Sequence, residues 1–257
     1  MKNTRPAPKR PIILIPARMG SARLPGKPLL DIHGEPMIVH VWRRAMESGI
    51  APVMVVCDGK EIAEVVEKAG GEAIITRPDH TTGSDRIWDA FDQLQKKSQG
   101  GREDYDVIIN VQGDLPTIDP KAISAAYDLL KKPEVDIGTL AVKIEREEDK
   151  AAGHIVKAVI ELPEGKKEGR ALYFSRLPVP AGEGPMFHHI GLYAYRRAAL
   201  ARFVETPQTQ LEKRESLEQL RALALGLHIG VAVVDTVPLG VDTKADLEAA
   251  RALLGKK

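Results

Sequence analysis

The sequence predicts an α/β fold with a mostly parallel sheet and a β-rich elaboration, on two observations. In the first half of the 257-residue chain, short apolar runs typical of buried strands alternate with amphipathic helices. From Asp136 onward this alternation gives way to strand-like segments joined by polar turns. We predict a single domain over residues 1–257, with a flexible tail at 1–10 and the elaboration at about 136–195.

The first predicted strand, Ile12–Ile15, is apolar and mostly β-branched, and Pro16 is expected to end it because proline brings no N–H to the ladder. The segment from Gly34 to Gly49 has the periodicity of an amphipathic helix. The rest of this half continues the alternation, with strands at Val53–Cys57, Ala73–Thr76 and Val107–Val111, and helices at Glu61–Ala69, around Ile87–Leu94 and at Lys121–Leu130. This spacing implies parallel βαβ units.

The second half predicts strands at Ile137–Val142, Ile155–Glu161 and Ala171–Ser175. A polar segment at 163–169 joins the last two and indicates antiparallel pairing. Gln210–Leu225 carries a leucine stripe and is predicted to be one helix. A final strand, Ile229–Val234, leads to a last helix for which Asp242 or Thr243 is the candidate cap.

Charge and cysteine content exclude several kinds of protein. The net charge of +1 gives no overall field for a nucleic acid or an anionic membrane. The single cysteine, Cys57, excludes internal disulfides and cysteine-rich metal sites and favours a cytoplasmic location. No signal peptide and no apolar run long enough to span a membrane is recognisable, so we expect a cytoplasmic protein without nucleic-acid or membrane partners.

A cationic loop follows the first strand. It offers three cations and a hydroxyl, a combination suited to a polyphosphate: Arg18, Arg23, Lys27 and Ser21. The loop is not a P-loop, because five residues separate Gly20 from Gly26 and Pro28 stands where the magnesium-binding hydroxyl belongs. It also lacks the glycine spacing of the dinucleotide fingerprint. A solvated basic loop is the alternative.

Asp114 follows the strand Val107–Val111, with Gln112 and Gly113 between them. This is the strand end at which open α/β sheets hold their ligands. On the residues alone, Asp114 is equally an aspartate that opens a turn before Pro116.

The loop residues Pro16–Arg18 and Leu24–Leu29 resemble the opening motif of the sugar-activating cytidylyltransferases, in particular the 3-deoxy-manno-octulosonate (KDO) cytidylyltransferase family, also called CMP-KDO synthetases. Nearly the whole chain shares the order of the family's motifs. These are the Arg18–Lys27 loop, the Asp79–Arg86 loop, the strand that ends at Asp114, the His189 strand and Asp242 before the last helix. Leu115 departs from the pattern, because most members carry Glu after the aspartate, so the family's neighbouring carboxylate has no counterpart here.

The resemblance implies a Rossmann-like fold of the nucleotide-diphospho-sugar transferase type, whose β-rich insertion serves dimerisation and sugar binding. It implies that CMP is transferred from CTP to the anomeric hydroxyl of KDO, giving CMP-KDO and pyrophosphate, with Mg²⁺ as cofactor and a homodimer as the assembly. CMP-KDO would feed lipopolysaccharide biosynthesis. No protein nucleophile is needed, because phosphoryl transfer depends on alignment and charge neutralisation.

The resemblance also assigns residues to roles. The catalytic residues are Arg18, Lys27 and Asp114. The nucleotide-binding residues are Ala17, Arg18, Ser21, Arg23, Lys27, Arg77, Thr82, Gly83, Ser84 and Gln112. The sugar-binding residues are Arg176, His189, Tyr193, Glu218 and Gln219, and the metal ligands are Asp114 and Asp242.

Alternatives stay open at this point. Thr82 or Ser84 is equally the N-cap of the following helix, and Glu218–Arg221 is equally a solvated helix face. His188 and His189 point to opposite faces of a strand, which argues against a paired metal site. The enzyme alternatives are a CMP-sialic acid synthetase or a CMP-8-amino-KDO synthetase. A nucleotide-binding module without catalysis is the alternative from another class.

Overall fold

A computed structural model describes residues 5–21, 23–97 and 104–255. The start of the predicted flexible tail, residues 1–4, lies outside the described residues. The described strands are β1 (Pro11–Ala17), β2 (Asp31–Ile32), β3 (Glu35–Pro36), β4 (Val53–Cys57), β5 (Glu72–Ile75), β6 (Val107–Asn110), β7 (Ile137–Lys143), β8 (Lys157–Glu161), β9 (Glu168–Ser175), β10 (Phe187–Arg196) and β11 (Ile229–Val234).

The described α-helices are α1 (Met37–Met46), α2 (Lys60–Lys68), α3 (Gly83–Lys97), α4 (Pro120–Asp128), α5 (Glu147–Ala151), α6 (Arg197–Glu205), α7 (Gln210–Glu215), α8 (Gln219–Ala224) and α9 (Lys244–Leu254). Short 3₁₀ helices occupy Lys27–Leu29 and Leu129–Lys131. In the part of the chain that the structure describes, no helix combines the length and apolar composition that a membrane span requires.

The chain forms two compact units. The first unit comprises residues 9–124 and 238–255, and the second comprises residues 5–8 and 125–237. The β-rich second unit is thus more extensive than the predicted elaboration at 136–195. In the first unit, the backbone N–H groups of Lys9 and Arg10 each donate to the Asp106 carboxylate at 2.9 Å, just before β6. The flexibility of the tail stays a prediction.

The first unit contains a parallel sheet in the order β5–β4–β1–β6. Strand β1, which lies between β4 and β6, is wholly buried from Ile12 to Ile15, and this burial explains the continuous apolar run in the sequence. Helices α1, α2 and α3 pack on these strands. The parallel βαβ arrangement predicted for this half is confirmed, and it brings the carboxyl ends of β1 and β6 to the same edge.

Strand β1 continues through Pro16, although the sequence predicts that it ends there. Successive residues of a strand direct their backbone groups to opposite neighbours. Ile13 N–H donates at 2.9 Å to the residue before β4, whereas Leu14 O accepts from Val111 N–H at 3.2 Å on the side of β6. Pro16 therefore faces the side of β6, where pairing ends at Leu14. Its missing N–H breaks no ladder bond, so the strand extends past it.

The second unit contains a mixed sheet. Strands β7 and β11 pair in parallel, and the antiparallel pairs are β10–β7, β10–β8, β8–β9 and β11–β9. Within this unit each of the five strands pairs with two others, so these pairings close into a ring. The antiparallel β8–β9 hairpin is confirmed. The expectation of a mostly parallel sheet holds only for the first unit, and the chain as a whole is mixed α/β.

The predicted helix Gln210–Leu225 is wrong in one respect, because the structure divides it into α7 and α8. Ser216 between them adopts a left-handed conformation with φ of +54°, and its N–H and that of Leu217 both return to Glu212 O. This geometry ends a helix. The leucine stripe hides the break in the sequence, although only Leu217 and Leu220, which both follow Ser216, are buried, and Leu211 of α7 is 45% exposed.

A pair of glycines lets the chain pack tightly inside the second unit. Gly138 of β7 lies opposite Gly230 of β11. A Cβ built at Gly138 would lie 2.1 Å from Ala126 O and 3.3 Å from the Leu129 Cβ. The absence of side chains at this position therefore lets the backbone of α4 approach the sheet.

Replacing Gly138 with alanine should destabilise the protein by about 1–3 kcal/mol, because the new methyl group meets backbone rather than a movable side chain. The comparison is Gly153→Ala, where a Cβ meets nothing within 4 Å. That control should change the free energy of unfolding by less than about 0.5 kcal/mol. Urea-induced unfolding followed by circular dichroism measures both. Equal midpoints for the two variants would contradict the packing argument.

Candidate functional site

A cleft of about 400 Å³ lies at the carboxyl ends of β1 and β6 in the first unit. Most of the predicted nucleotide-binding and metal-binding residues line it: Ala17, Arg18, Ser21, Arg23, Lys27, Thr82, Gly83, Gln112, Asp114 and Asp242. The sequence prediction missed Pro16, Pro28, His80, Thr81, Arg86 and Gly113, which line it as well. The catalytic candidates Arg18, Lys27 and Asp114 therefore share one cleft.

The cationic loop, residues 18–27, is anchored at several points among its described residues. Leu24 is buried in an apolar cluster with Met37 and Val241. Its N–H donates to the Ser21 hydroxyl at 3.3 Å. Gly26 takes a left-handed conformation with φ of +66° and begins the 3₁₀ helix that carries Lys27. The charged side chains thus project from a backbone that local packing holds in place.

Lys27 joins the two predicted metal ligands. Its Nζ donates to Asp114 Oδ2 at 2.7 Å and to Asp242 Oδ1 at 3.0 Å, and only 16% of its side chain is exposed. Burial by itself would lower the pKa of Lys27, but the charges and hydrogen bonds of Asp114 and Asp242 outweigh burial and raise the pKa above its ordinary value. The group is therefore an ammonium ion between two carboxylates.

Backbone hydrogen bonds bring the two aspartates together, although they are 128 positions apart in the sequence and no local pattern links them. Val241 N–H donates to Asp114 O at 2.9 Å, and Leu239 N–H donates to the Thr117 hydroxyl at 2.9 Å. Val241 itself is fully buried. The segment before α9 is thus tied to the loop that follows β6.

Thr243, rather than Asp242, caps the last helix. The Thr243 hydroxyl accepts from Asp246 N–H, and the Asp246 carboxylate accepts from Thr243 N–H, which completes a capping box. Asp242 is therefore not needed at the helix end. Its carboxylate forms two ion pairs instead: Oδ1 lies 3.0 Å from Lys27 Nζ, and Oδ2 lies 3.0 Å from the Arg23 guanidinium.

The charges of the cleft favour an anion. Among the described residues, four cationic side chains and two carboxylates line it: Arg18, Arg23, Lys27 and Arg86 against Asp114 and Asp242. Arg18 is exposed, and its side chain forms no hydrogen bond or ion pair with another described residue. The excess of positive charge is what a polyphosphate requires.

His80 and Asp89 form a pair at one wall of the cleft. His80 Nε2 lies 2.7 Å from Asp89 Oδ2, and the His80 side chain is only 7% exposed. Burial would raise the pKa of Asp89, but hydrogen bonds from His80, Gln93 and the Arg77 backbone lower it. Asp89 is the seventh residue of α3, and His80 lies in the loop before that helix. No local sequence pattern indicates that the two side chains pair, so sequence reasoning missed this contact.

Two predicted nucleotide-binding residues do not line the cleft. Arg77 is exposed and pairs with Asp79 at 3.6 Å. Ser84 is fully buried. Thr82, by contrast, lines the cleft and also caps α3, because its hydroxyl accepts from Asp85 N–H at 3.1 Å. The cap role considered for Thr82 is thus confirmed.

The backbone after β6 passes very close to β1. A Cβ built at Gly113 would lie 2.5 Å from Pro16 O, so only glycine fits there without displacement. Leu115, which stands in place of the family's glutamate, is 8% exposed and packs toward Gly240. The site therefore contains no carboxylate at this position, and Asp114 alone follows the strand.

The predicted sugar-binding residues lie in the second unit. His189 is buried, with its ring edge against Phe174 at a centroid distance of 4.8 Å and with Tyr193 at 5.6 Å. His189 Nε2 lies 3.1 Å from the Thr139 hydroxyl, and His189 Nδ1 lies 3.4 Å from Gln219 Nε2. Because the Gln219 amide is a donor, His189 Nδ1 is the acceptor and Nε2 carries the proton.

Burial lowers the pKa of His189 to about 3, with a smaller effect from the neighbouring His188. Burial also raises the pKa of Tyr193 well above its ordinary value, assisted by the charge of Glu218. Both side chains are therefore neutral over the physiological pH range. The structure brings together four of the five predicted sugar-binding residues, His189, Tyr193, Glu218 and Gln219, and their role stays a prediction.

Arg176 is held by backbone. Its guanidinium donates to Glu215 O at 3.0 Å and to Gly153 O and Ser216 O at 3.2 Å each. The Glu215 carboxylate in turn accepts from Ser175 Oγ at 3.1 Å and from Arg176 N–H at 3.2 Å. Three of the five guanidinium N–H groups are thus used to hold loops together.

Arg221 is buried and structural, in contrast to the solvated helix face considered for Glu218–Arg221. Its guanidinium pairs through two nitrogens with the buried Glu212 carboxylate and stacks 4.4 Å from the centre of the Phe203 ring. A two-nitrogen pair of this kind satisfies both buried charges.

Comparison with known proteins identifies the class. The cytidylyltransferase family model matches residues 12–229, and the chain therefore belongs to this family. The 3-deoxy-manno-octulosonate cytidylyltransferase of Rhodospirillum centenum is 58% identical over 96% of this chain and 95% of that protein. The enzyme of the same name from Paramagnetospirillum magneticum is 57% identical over 95% and 97%. The resemblance stated from the motifs is thereby confirmed.

Solved structures agree. A CMP:2-keto-3-deoxy-manno-octonic acid synthetase in complex with CTP superposes with a TM-score of 0.85 at 38% identity, over 96% of this chain and 99% of that one. A cytidylyltransferase from Leptospira borgpetersenii, at 17% identity and a TM-score of 0.62, shows the fold alone, over 96% of this chain and 87% of that one. The mixed α/β class is thus confirmed.

The pKa of His189 leads to a prediction about stability. The folded protein keeps His189 neutral down to about pH 3, whereas the unfolded chain binds a proton near pH 6.5. Stability from this group is therefore fully present above about pH 6.5 and is lost as the pH falls toward 3. Between pH 7.5 and 5.5, its contribution should fall by about 1.4 kcal/mol.

His189→Gln, which cannot take up this proton, should lose about 1.4 kcal/mol less over the same pH interval than the unsubstituted protein. The matched control is His154→Gln, at an exposed histidine. Urea unfolding at pH 7.5 and 5.5 gives the measurement. If the pH dependence of His189→Gln equals that of His154→Gln, His189 is not the group responsible.

Proposed function

We propose that the protein transfers CMP from CTP to the anomeric hydroxyl of KDO, giving CMP-KDO and pyrophosphate, and so activates KDO for lipopolysaccharide biosynthesis. The observation that carries this proposal is the contact of one lysine, Lys27, with both Asp114 and Asp242 in a cleft where cations outnumber carboxylates. The relatives at 57–58% identity carry the name of this activity.

The nucleotide belongs in the cleft of the first unit. Arg18, Arg23 and Lys27 neutralise the phosphate oxygens, and Ser21 supports the loop that carries them. Arg18 is the cation best placed to receive a phosphate group directly, because it is exposed and not paired with another described residue. Ala17, Thr82, Gly83 and Gln112 form the walls around the nucleoside. Arg77 and Ser84 lie off the cleft wall, and their roles stay predictions.

The proposed reaction is an in-line displacement at phosphorus. The anomeric oxygen of the sugar forms a bond to the α-phosphorus of CTP while the bond from that phosphorus to the bridging oxygen breaks. The bridging oxygen keeps the electron pair and leaves as part of pyrophosphate, and the hydroxyl proton passes to solvent or to a base. Lys27 and Arg18 stabilise the charge that develops on the phosphates, so no covalent protein intermediate is required.

The carboxylates fit Mg²⁺. Asp114 and Asp242 share one cationic neighbour at 2.7 and 3.0 Å, which shows that their oxygens face the same small volume. Among the described residues no group of three potential ligands occurs, and Mg²⁺ in nucleotide sites uses one or two carboxylates with phosphate and water oxygens. When bound, the ion would neutralise phosphate charge and lower the pKa of the attacking hydroxyl.

For the sugar, we propose the residues gathered around His189. Tyr193, Glu218 and Gln219 supply polar groups, and His189 orients Gln219 through its Nδ1. Arg176 keeps two N–H groups beyond the three that bind backbone carbonyls, and these suit the sugar carboxylate.

The homodimer and the cytoplasmic location are proposals too. In the second unit, Leu172 and Leu177 are large apolar side chains that are 49% and 69% exposed, and contact with a second copy of the chain would cover them. The cytoplasmic location is consistent with the free thiol of Cys57 and with the use of CTP.

Pyrophosphate release tests the function. Purified protein with Mg²⁺, CTP and KDO should release pyrophosphate, and CTP should be preferred over ATP, GTP and UTP. Faster release with N-acetylneuraminate or 8-amino-KDO would assign the activity to one of the related synthetases. CTP binding without pyrophosphate release with any sugar acid would support the non-catalytic nucleotide-binding module and overturn the proposal.

Asp114→Asn should lower kcat by about 100-fold or more while changing the KM for CTP less than about 10-fold, because a carboxylate that acts through the metal contributes mainly in the transition state. The control is Asp235→Asn, at an aspartate whose side chain is 84% exposed and pairs with Lys167. Steady-state pyrophosphate assays measure both. Unchanged turnover of Asp114→Asn would remove Asp114 from the reaction.

A further inference from the structure

Lys27 occupies the position of a cation between the two proposed metal ligands. Its ammonium group donates to one oxygen of each carboxylate, and within the described part of the chain it donates to no other side chain. The side chain is 16% exposed, whereas Asp114 and Asp242 are 32% and 48% exposed. The carboxylates are therefore open to solvent, and the lysine lies beneath that opening.

We propose that Lys27 is an exchangeable counter-ion, which keeps divalent cations off Asp114 and Asp242 until a nucleotide triphosphate draws the ammonium group onto its phosphates. Metal binding then depends on nucleotide binding. This inference rests on the magnesium site of the proposed function and adds an order of binding to it.

Electrostatics supports the exchange. A divalent cation at these carboxylates would meet a positive charge within hydrogen-bonding distance of both, and this repulsion is strong in a partly buried site. A triphosphate beside Lys27 offers the ammonium several negative oxygens in place of the two it gives up. The same movement removes the repulsion and adds phosphate oxygens as metal ligands, so the two events favour each other.

The backbone allows this movement without rearrangement. Lys27 begins a 3₁₀ helix whose position is set by Gly26 and by the buried residues Leu24 and Pro28. The lysine side chain has a flexible four-carbon stem, and rotation of the ammonium group lets its three N–H donors point in new directions. Only the end of the side chain therefore has to move, within a cleft that it already lines.

Arg23 provides an internal comparison. Its guanidinium lies 3.0 Å from Asp242 Oδ2, but its side chain is 69% exposed, and in the described part of the chain it forms no ion pair with Asp114. Solvent screens its charge more strongly than that of Lys27. Removal of Arg23 should therefore affect metal binding much less than removal of Lys27.

The experiment measures Mn²⁺ binding to the full chain without nucleotide, by the loss of the free-ion electron paramagnetic resonance signal. The unsubstituted protein and Lys27→Arg should bind Mn²⁺ weakly. Lys27→Met and Lys27→Gln should bind it at least about 10-fold more tightly. Arg23→Met should change the affinity less than about 3-fold. Adding Asp242→Asn to Lys27→Met should abolish the gain, which locates the ion at this pair.

Lys27→Met and Lys27→Gln together guard against a folding defect, and urea unfolding identifies a variant that is not folded. Mn²⁺ affinities of the folded neutral variants equal to that of the unsubstituted protein would overturn the inference, as would a gain that survives Asp242→Asn. Pyrophosphate release by the unsubstituted protein in EDTA separates the two levels. Release that persists without metal refutes the proposed magnesium role, whereas metal-dependent release without a gain in the neutral variants refutes only the counter-ion inference.

Discussion

The cleft of the first unit is centred on two carboxylates that both contact one ammonium group. Asp114 and Asp242 lie 2.7 and 3.0 Å from Lys27 Nζ, whose positive charge offsets the repulsion between the two carboxylates at the carboxyl edge of the parallel sheet. The apolar cluster around Leu24 and Val241 then fixes the two segments that carry opposite charge. Packing and electrostatics thus specify the same arrangement, and they assemble a cleft that is positive overall and acidic at one point.

In the first unit, the turn after β6 and the start of α9 form their hydrogen bonds without the carboxylates of Asp114 and Asp242. Thr243 forms the capping box of α9 with Asp246, so Asp242 is available to the cleft. Backbone groups of the Asp114 and Val241 segments bond to each other, so the Asp114 carboxylate is not needed to close its own turn. The division matters because a carboxylate that satisfies backbone donors is a weak candidate for a metal ligand.

The second unit differs, because its predicted sugar-binding residues His189 and Arg176 form hydrogen bonds inside the protein. His189 uses both ring nitrogens inside the protein, and Arg176 uses most of its guanidinium on backbone carbonyls. Such contacts hold the surrounding strands and loops in one arrangement, so the proposed sugar site would be organised before its ligand binds. The family's motif residues in this half therefore contribute to packing, and their contact with a sugar stays a prediction.

The sequence by itself determined the elements whose cause is local. Apolar runs and amphipathic periodicity identified the parallel half of the fold. The order of residues along the chain placed three cations after β1 and an aspartate after β6. The break at Ser216 and the passage of β1 through Pro16 escaped prediction, because each depends on which neighbour a backbone group faces. Only the tertiary structure decided that Asp242 meets Lys27, 215 residues away, and that His80 pairs with Asp89. Contacts of this kind leave no periodic trace in a sequence, since they follow from how strands and helices pack rather than from the spacing of residues along the chain.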